Sequence, residues 1–148
     1  NCDAKMPARE NLTEQDTELL EMCYSVMPKL RAEADKFRFN RVLEEIWRIV
    51  YAANAYIDEQ APWTLKKTDT ERMGVVLSVI AETVRCLGIM LQPVMPSSCE
   101  RLLDQVGVDK DQRQFAHISA DYALAPGYEI EKPEGVFPRI QVDEDASS

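Results

Sequence analysis

Phe39-Asn40-Arg41-Val42-Leu43-Glu44-Glu45-Ile46-Trp47-Arg48-Ile49-Val50-Tyr51-Ala52-Ala53-Asn54-Ala55-Tyr56-Ile57-Asp58-Glu59-Gln60 lies within the longest run of the chain free of proline and glycine. Phe39, Val42, Leu43, Ile46, Val50, Ala53 and Ile57 recur every three or four positions, which predicts one long amphipathic helix ending before Pro62. Such a helix needs other helices to cover its apolar stripe, and the flanking segments supply them. Upstream, Thr13 with Asp16 three residues later has the form of a capping box, opening a helix whose core face is Leu19, Leu20, Cys23, Met27 and Leu30. Pro28 lies late in it and should kink or end it. Downstream, a third helix is expected from Arg72 to Leu91, with Met73, Val76, Leu77, Ile80, Val84, Leu87 and Leu91 as its buried stripe and Gln92-Pro93 as its stop. A short fourth helix follows Pro96, burying Leu102, Leu103 and Val106, with Gly107 supplying a left-handed C-terminal residue.

The fold class expected is therefore all-α, a bundle of about four helices over residues 1–107. From 108 to 142 the periodicity fails and Pro126, Gly127, Pro133, Gly135 and Pro138 crowd together. Ile118, Tyr122, Leu124, Tyr128, Ile130, Val136, Phe137 and Ile140 are too many apolar residues for a solvated tail, so this segment should pack back on the bundle as part of the same domain. Residues 143–148 are expected to be a disordered end.

A chain of 148 residues that is 45% hydrophobic has material for one core. Its apolar residues are broken by charges every few positions, which argues against a membrane role, and residues 1–11 are too polar for a signal peptide. A cytoplasmic location is the expectation. Cys2, Cys23, Cys86 and Cys99 are widely separated and His117 is the single histidine, so no zinc-ligand pattern exists within the chain. Cys23 and Cys86 read as core residues. A net charge of −9 opposes broad attachment to phosphates but leaves local recognition open. Lys29, Arg31, Lys36, Arg38, Arg41 and Arg48 fall within 20 residues, a cluster that fits a solvated helix connection.

Two features could carry function. Asn54 falls on the apolar side of the long helix with Leu43, Val50 and Ile57, where an unpaired buried amide would cost about 1 to 3 kcal/mol. It should bond another helix, a backbone group or a ligand, and Asp58 one turn on could do the same or face solvent. Then Ala61-Pro62-Trp63 forms a stiff corner, because proline fixes its own φ and pushes Ala61 toward an extended conformation. Trp63 is either a core plug or a platform for a planar ligand, and stacking on a nucleobase contributes about 1 to 3 kcal/mol. Trp47 reads as core, as do Met90 and Met95, and His117 as a surface histidine. With no phosphate-binding glycine loop and no set of catalytic residues, nothing in the chain has the pattern of an active site.

Ala53-Asn54-Ala55-Tyr56-Ile57-Asp58-Glu59-Gln60-Ala61-Pro62-Trp63-Thr64-Leu65-Lys66-Lys67 resembles the end of the second helix in the anticodon-binding domain of methionyl-tRNA synthetases. Leu91-Gln92-Pro93-Val94-Met95-Pro96 and Lys132-Pro133-Glu134-Gly135-Val136-Phe137-Pro138-Arg139-Ile140 are similar to further stretches of that family in the same order, so the resemblance covers essentially the whole chain. It implies a helical domain that docks the anticodon stem-loop of methionine tRNAs and reads CAU. It further implies that Trp63 stacks on an anticodon base and Pro62 places it, with Asn54 and Asp58 shaping the corner. Family members also read the anticodon with an asparagine and an arginine on a helix preceding the segment where this chain starts. The catalytic domain, with its ATP, methionine and zinc sites, is expected upstream as well, so the fragment alone should catalyse nothing. Eight residues follow Ile140, so if the chain ends there no appended module is expected and a monomeric parent enzyme is the expectation. A helical scaffold with Trp63 buried, or the anticodon domain of an isoleucyl, valyl, leucyl or cysteinyl enzyme, are the competing readings.

Overall fold

The computed structural model describes residues 11–124. Helices α1 (Glu14–Ser25), α2 (Met27–Asp35), α3 (Phe39–Gln60), α4 (Pro62–Thr68), α5 (Thr70–Met90) and α6 (Pro96–Gln105) are followed by single 3-10 turns at Lys110–Gln112, Phe115–His117 and Ala120–Tyr122. The four expected helical segments are all present, and α3 has the bounds read from sequence. The first segment is divided: α1 stops at Ser25 and Pro28 sits in the opening turn of α2, where its missing N–H costs no helical bond. The short α4 is additional.

Helix α5 is the axis of the bundle, packed on by α1, α3, α4 and α6. An 18-residue stretch within its 21 residues has a mean hydropathy of 1.7, enough by length and composition to cross a membrane, but 72% of that stretch is buried inside the protein. Being covered from several directions, it does not show the single stripe expected. Val75, Val79, Cys86 and Ile89 are buried with Met73 and Val76, while Leu77, Ile80, Val84, Leu87 and Leu91 are half-buried.

On α3 the buried face is Ile46, Ile49 and Tyr56, flanked by half-buried Val42 and Ala53. It is centred about 90° around the helix from Leu43, Val50 and Ile57, which are half-buried. Phe39 and Trp47 consequently face outward, at 61% and 49% exposure, so the assignment of Trp47 to the core is corrected. The helix carries two adjacent apolar stripes, and the one containing Tyr56 is chosen because Asp16 is there to accept its hydroxyl.

Residues after α6 pack onto the bundle: Val108, Ile118 and Leu124 join Cys23, Leu30, Ile46, Cys86, Ile89 and Leu103 in one apolar cluster. Gly107 has φ 77°, the left-handed value expected past a helix end. In the Leu91–Pro96 string, Gln92 donates 2.6 Å to the carbonyl of Arg113, and Arg113 bonds Asp104 at 2.6 Å, so this motif anchors the segment after α6. Tyr128 to Ile140 and the end at 143–148 lie outside the described residues.

The deepest polar contact holds the same segment. Arg85 and Glu82, both essentially inaccessible, pair at 2.6 Å on α5. Glu82 accepts from Tyr24 Oη at 2.9 Å and from the Leu124 amide at 3.0 Å, and Arg85 donates to the carbonyls of His117 and Ser119. Arg85→Met removes one partner and leaves the buried carboxylate uncompensated; it should lower unfolding free energy by about 3 to 5 kcal/mol in a denaturant titration. A loss below about 1 kcal/mol would show that water reaches Glu82.

Candidate nucleic-acid interface at the α3–α4 corner

The corner is made by one residue in an uncommon conformation. Ala61 has φ 43° and ψ 64°, left-handed, rather than the extended geometry expected before a proline. The reason is that Ala61 ends one helix and begins another. Its amide donates to the Ile57 carbonyl at 2.9 Å, finishing α3, and its carbonyl accepts from the Thr64 amide at 2.9 Å and Thr64 Oγ1 at 2.7 Å, starting α4. A left-handed step allows both sets within one residue, as at a helix C-terminus, where glycine is the usual choice. Pro62 then occupies the first position of α4, where proline is pre-organised for a helix.

Trp63 follows on the first turn of α4 and is 60% exposed, so it is not a core plug. Pro62 and Leu65 are half-buried, and no residue of α4 is fully buried. Lys66 and Lys67 are exposed in the last turn, placing two cations within about one helical turn of the indole. At the far end Asp69 caps α5 by accepting from the Arg72 amide at 3.0 Å.

Asn54 and Asp58 stand one turn apart on α3, and both are exposed. With the core on the Tyr56 side, Asn54 needs no buried partner, and no hydrogen bond joins either side chain to the corner among the described residues. The bonds that do hold the corner come from residues not singled out in the sequence. Gln60, the last residue of α3, accepts from Arg72 Nη2 at 2.8 Å and donates to Gln15 Oε1 at 2.7 Å. Gln15 in turn donates to Glu59 at 2.7 Å.

Behind Gln60 lies a buried ion pair. Asp16, with no solvent exposure, accepts from Arg72 Nη1 at 2.5 Å, from Arg72 Nη2 at 2.8 Å and from the Tyr56 hydroxyl. It also accepts from the Thr13 amide at 2.9 Å in the capping box. Burial pushes its carboxyl up, but the hydrogen bonds from Arg72, Tyr56 and Thr13 outweigh burial and bring it down to about 2. Burial and the Asp16 charge together hold the Tyr56 phenol well above its ordinary value. The sequence signal for Asp16 was its capping position; its second role has no local signature, because the partners lie 40 and 56 residues away.

The basic cluster on α2 and α3 is largely matched by acids. Lys29 pairs with Glu45 at 3.0 Å, Arg38 with Glu33 at 3.7 Å, Arg41 with Glu44 at 3.2 Å and Arg48 with Glu45 at 3.2 Å.

Two outcomes follow for the corner's stability. Asp16 has a depressed pKa when folded, so its contribution is full above about pH 4 and is lost as pH falls from about 4 toward 2. This amounts to about 2 kcal/mol, and acid titrations of wild type and Asp16→Asn should converge over that interval. At Ala61, glycine tolerates the left-handed geometry, so Ala61→Gly should raise the stability by about 1 kcal/mol in thermal unfolding. A loss of stability would mean that Ala61 is unstrained.

The family model for the anticodon binding domain of methionyl tRNA ligase matches residues 6–148. Methionine–tRNA ligase from Mesorhizobium japonicum is 41% identical over 139 residues, covering 94% of this chain and 27% of the relative. The Rickettsia felis ligase is 49% identical over 109 residues, covering 74% of this chain and 21% of the relative. Among solved structures, free Mycobacterium tuberculosis methionyl-tRNA synthetase superposes with a TM-score of 0.90 at 34% identity, over 96% of this chain and 29% of that one. The same enzyme bound to methionyl-adenylate gives 0.88 at 33% identity, over 93% and 28%. The chain thus spans less than a third of the length of these relatives.

Proposed function

The chain belongs to the family of anticodon-binding domains of methionyl-tRNA ligases, and on that premise we propose that it reads the CAU anticodon of methionine tRNAs for a parent enzyme that joins methionine to tRNA in the cytoplasm. The observation that carries this reading is Trp63, 60% exposed on a helix turn whose direction is set by Ala61 and Pro62. An indole held this way offers one face to an unstacked base, and single-stranded loop bases are the usual target of sequence-specific RNA recognition. Pro62 places the ring. Asn54 and Asp58 add exposed polar groups to the side of α3 leading to the corner, with no side-chain hydrogen bond to either among the described residues.

Binding by stacking and a few polar contacts suits a chain with net charge −9, which cannot rely on many phosphate contacts. Lys66 and Lys67 supply positive charge at the place where a loop phosphate would approach. ATP and methionine belong to the catalytic part of the parent. This fits the methionyl-adenylate of the M. tuberculosis enzyme, and the chain's own role is to hold the anticodon stem-loop.

A binding titration of the parent enzyme, wild type and Trp63→Ala, against a CAU stem-loop and one with a changed first base tests the reading. The substitution should weaken CAU binding by about 1 kcal/mol or more, roughly fivefold, and remove the preference between the loops. Unchanged affinity and preference would sink it.

A further inference from the structure

We infer that Gln60 and Arg72 are positioning residues for the anticodon-reading corner, together closing the base of the excursion that carries Trp63. The inference rests on the anticodon reading above, and the assignment of these two residues comes from the packing of the corner.

Three observations support it. First, the hydrogen bond from Arg72 Nη2 to Gln60 Oε1, at 2.8 Å, joins residues 12 apart in sequence. Everything between them, Ala61, α4 with Trp63, Lys66 and Lys67, and the Asp69 cap, forms a loop closed by that bond. Second, α4 buries none of its seven residues, so packing alone holds it weakly. Half-buried Leu65, against the cluster of Leu19, Leu20, Tyr56, Val76 and Val79, is its apolar contact with the core. A short helix with so little burial takes its orientation from its ends. Third, the closing groups are themselves fixed. Arg72 is locked by two bonds to buried Asp16, and Gln60 is held from the other side by Gln15 of α1. One fork of the guanidinium therefore reports the position of α1 and α5 to the end of α3. A lysine at 72 could pair with Asp16 but could not also present a planar second nitrogen to Gln60.

Loss of the closure should leave the bundle folded but widen the range of orientations open to Trp63. The base-stacking geometry would then have to be re-ordered at each binding event.

The test uses the parent enzyme with 5-fluorotryptophan incorporated, the Trp63 fluorine resonance being assigned by its absence in Trp63→Phe. Gln60→Leu removes both amide bonds and spares the Asp16–Arg72 pair. Gln60→Glu restores an acceptor for Arg72 without the donor to Gln15. In Gln60→Leu the Trp63 resonance should shift toward the free-indole position and sharpen, with the melting temperature within a few degrees of wild type. CAU stem-loop affinity should fall about three- to tenfold, the cost of ordering one freed side chain. Gln60→Glu should recover most of both. An unchanged Trp63 resonance in Gln60→Leu overturns the inference whatever the RNA does. So does a shifted resonance with unchanged affinity when Trp63→Ala itself weakens binding. If Trp63→Ala leaves affinity unchanged, the anticodon reading fails, and with it the functional meaning of the clamp, even where the resonance shifts.

Discussion

A carboxylate with no access to water sits where α1, α3 and α5 meet, and the placement of all three depends on it. Asp16 would be costly to bury as a free charge; it is tolerated because Arg72 of α5, Tyr56 of α3 and the Thr13 amide saturate its oxygens. The bonds require each helix to arrive at a fixed rotation. Tyr56 must point inward, which turns α3 by about 60° from the stripe its sequence suggests and sends Trp47, Asn54 and Asp58 to the surface. The side of α3 that faces solvent is thus decided by an acid on another helix.

The second buried pair does the corresponding work at the other end of α5. Glu82 and Arg85 gather Tyr24 of α1, two carbonyls of the 3-10 segment and the Leu124 amide. Each charge collects backbone groups from a segment too irregular to satisfy its own. A helical ladder pairs its own amides and carbonyls, whereas residues 110–124 form only single turns, so a buried guanidinium and carboxylate supply what those turns lack. One pair fixes the corner, the other fixes the segment after α6, and α5 carries both.

Much of this was legible from local patterns. The bounds of α3, the capping box at Thr13, the break near Pro28 and the left-handed Gly107 all rest on chemistry within a few residues. The inner face of α3 was legible only in part: Ile46 was in the expected stripe, whereas Ile49 and Tyr56 were not, because two apolar stripes compete and the choice depends on Asp16, 40 residues earlier. Nor was α4, a seven-residue helix that begins at a proline and has no buried stripe to give it a period. At the candidate site the sequence pointed to Pro62 and Trp63 through their stiffness and chemistry. It missed Gln60, Gln15 and Arg72, since a glutamine at a helix end looks the same whether it faces water or closes a loop.

The corner and the core therefore differ in how they tolerate change. The core is overdetermined: α5 is covered by four other helices, and its apolar residues fall into two clusters that share Tyr24. The corner is held by one left-handed residue, one half-buried leucine and a chain of side-chain hydrogen bonds. An exposed ring offered to a planar ligand cannot be anchored by burial, because burial would cover the face it offers. Polar bonds from behind solve that conflict. They fix the backbone at the foot of Trp63 while leaving the ring uncovered, so rigidity is supplied from behind and the exposed face is kept free.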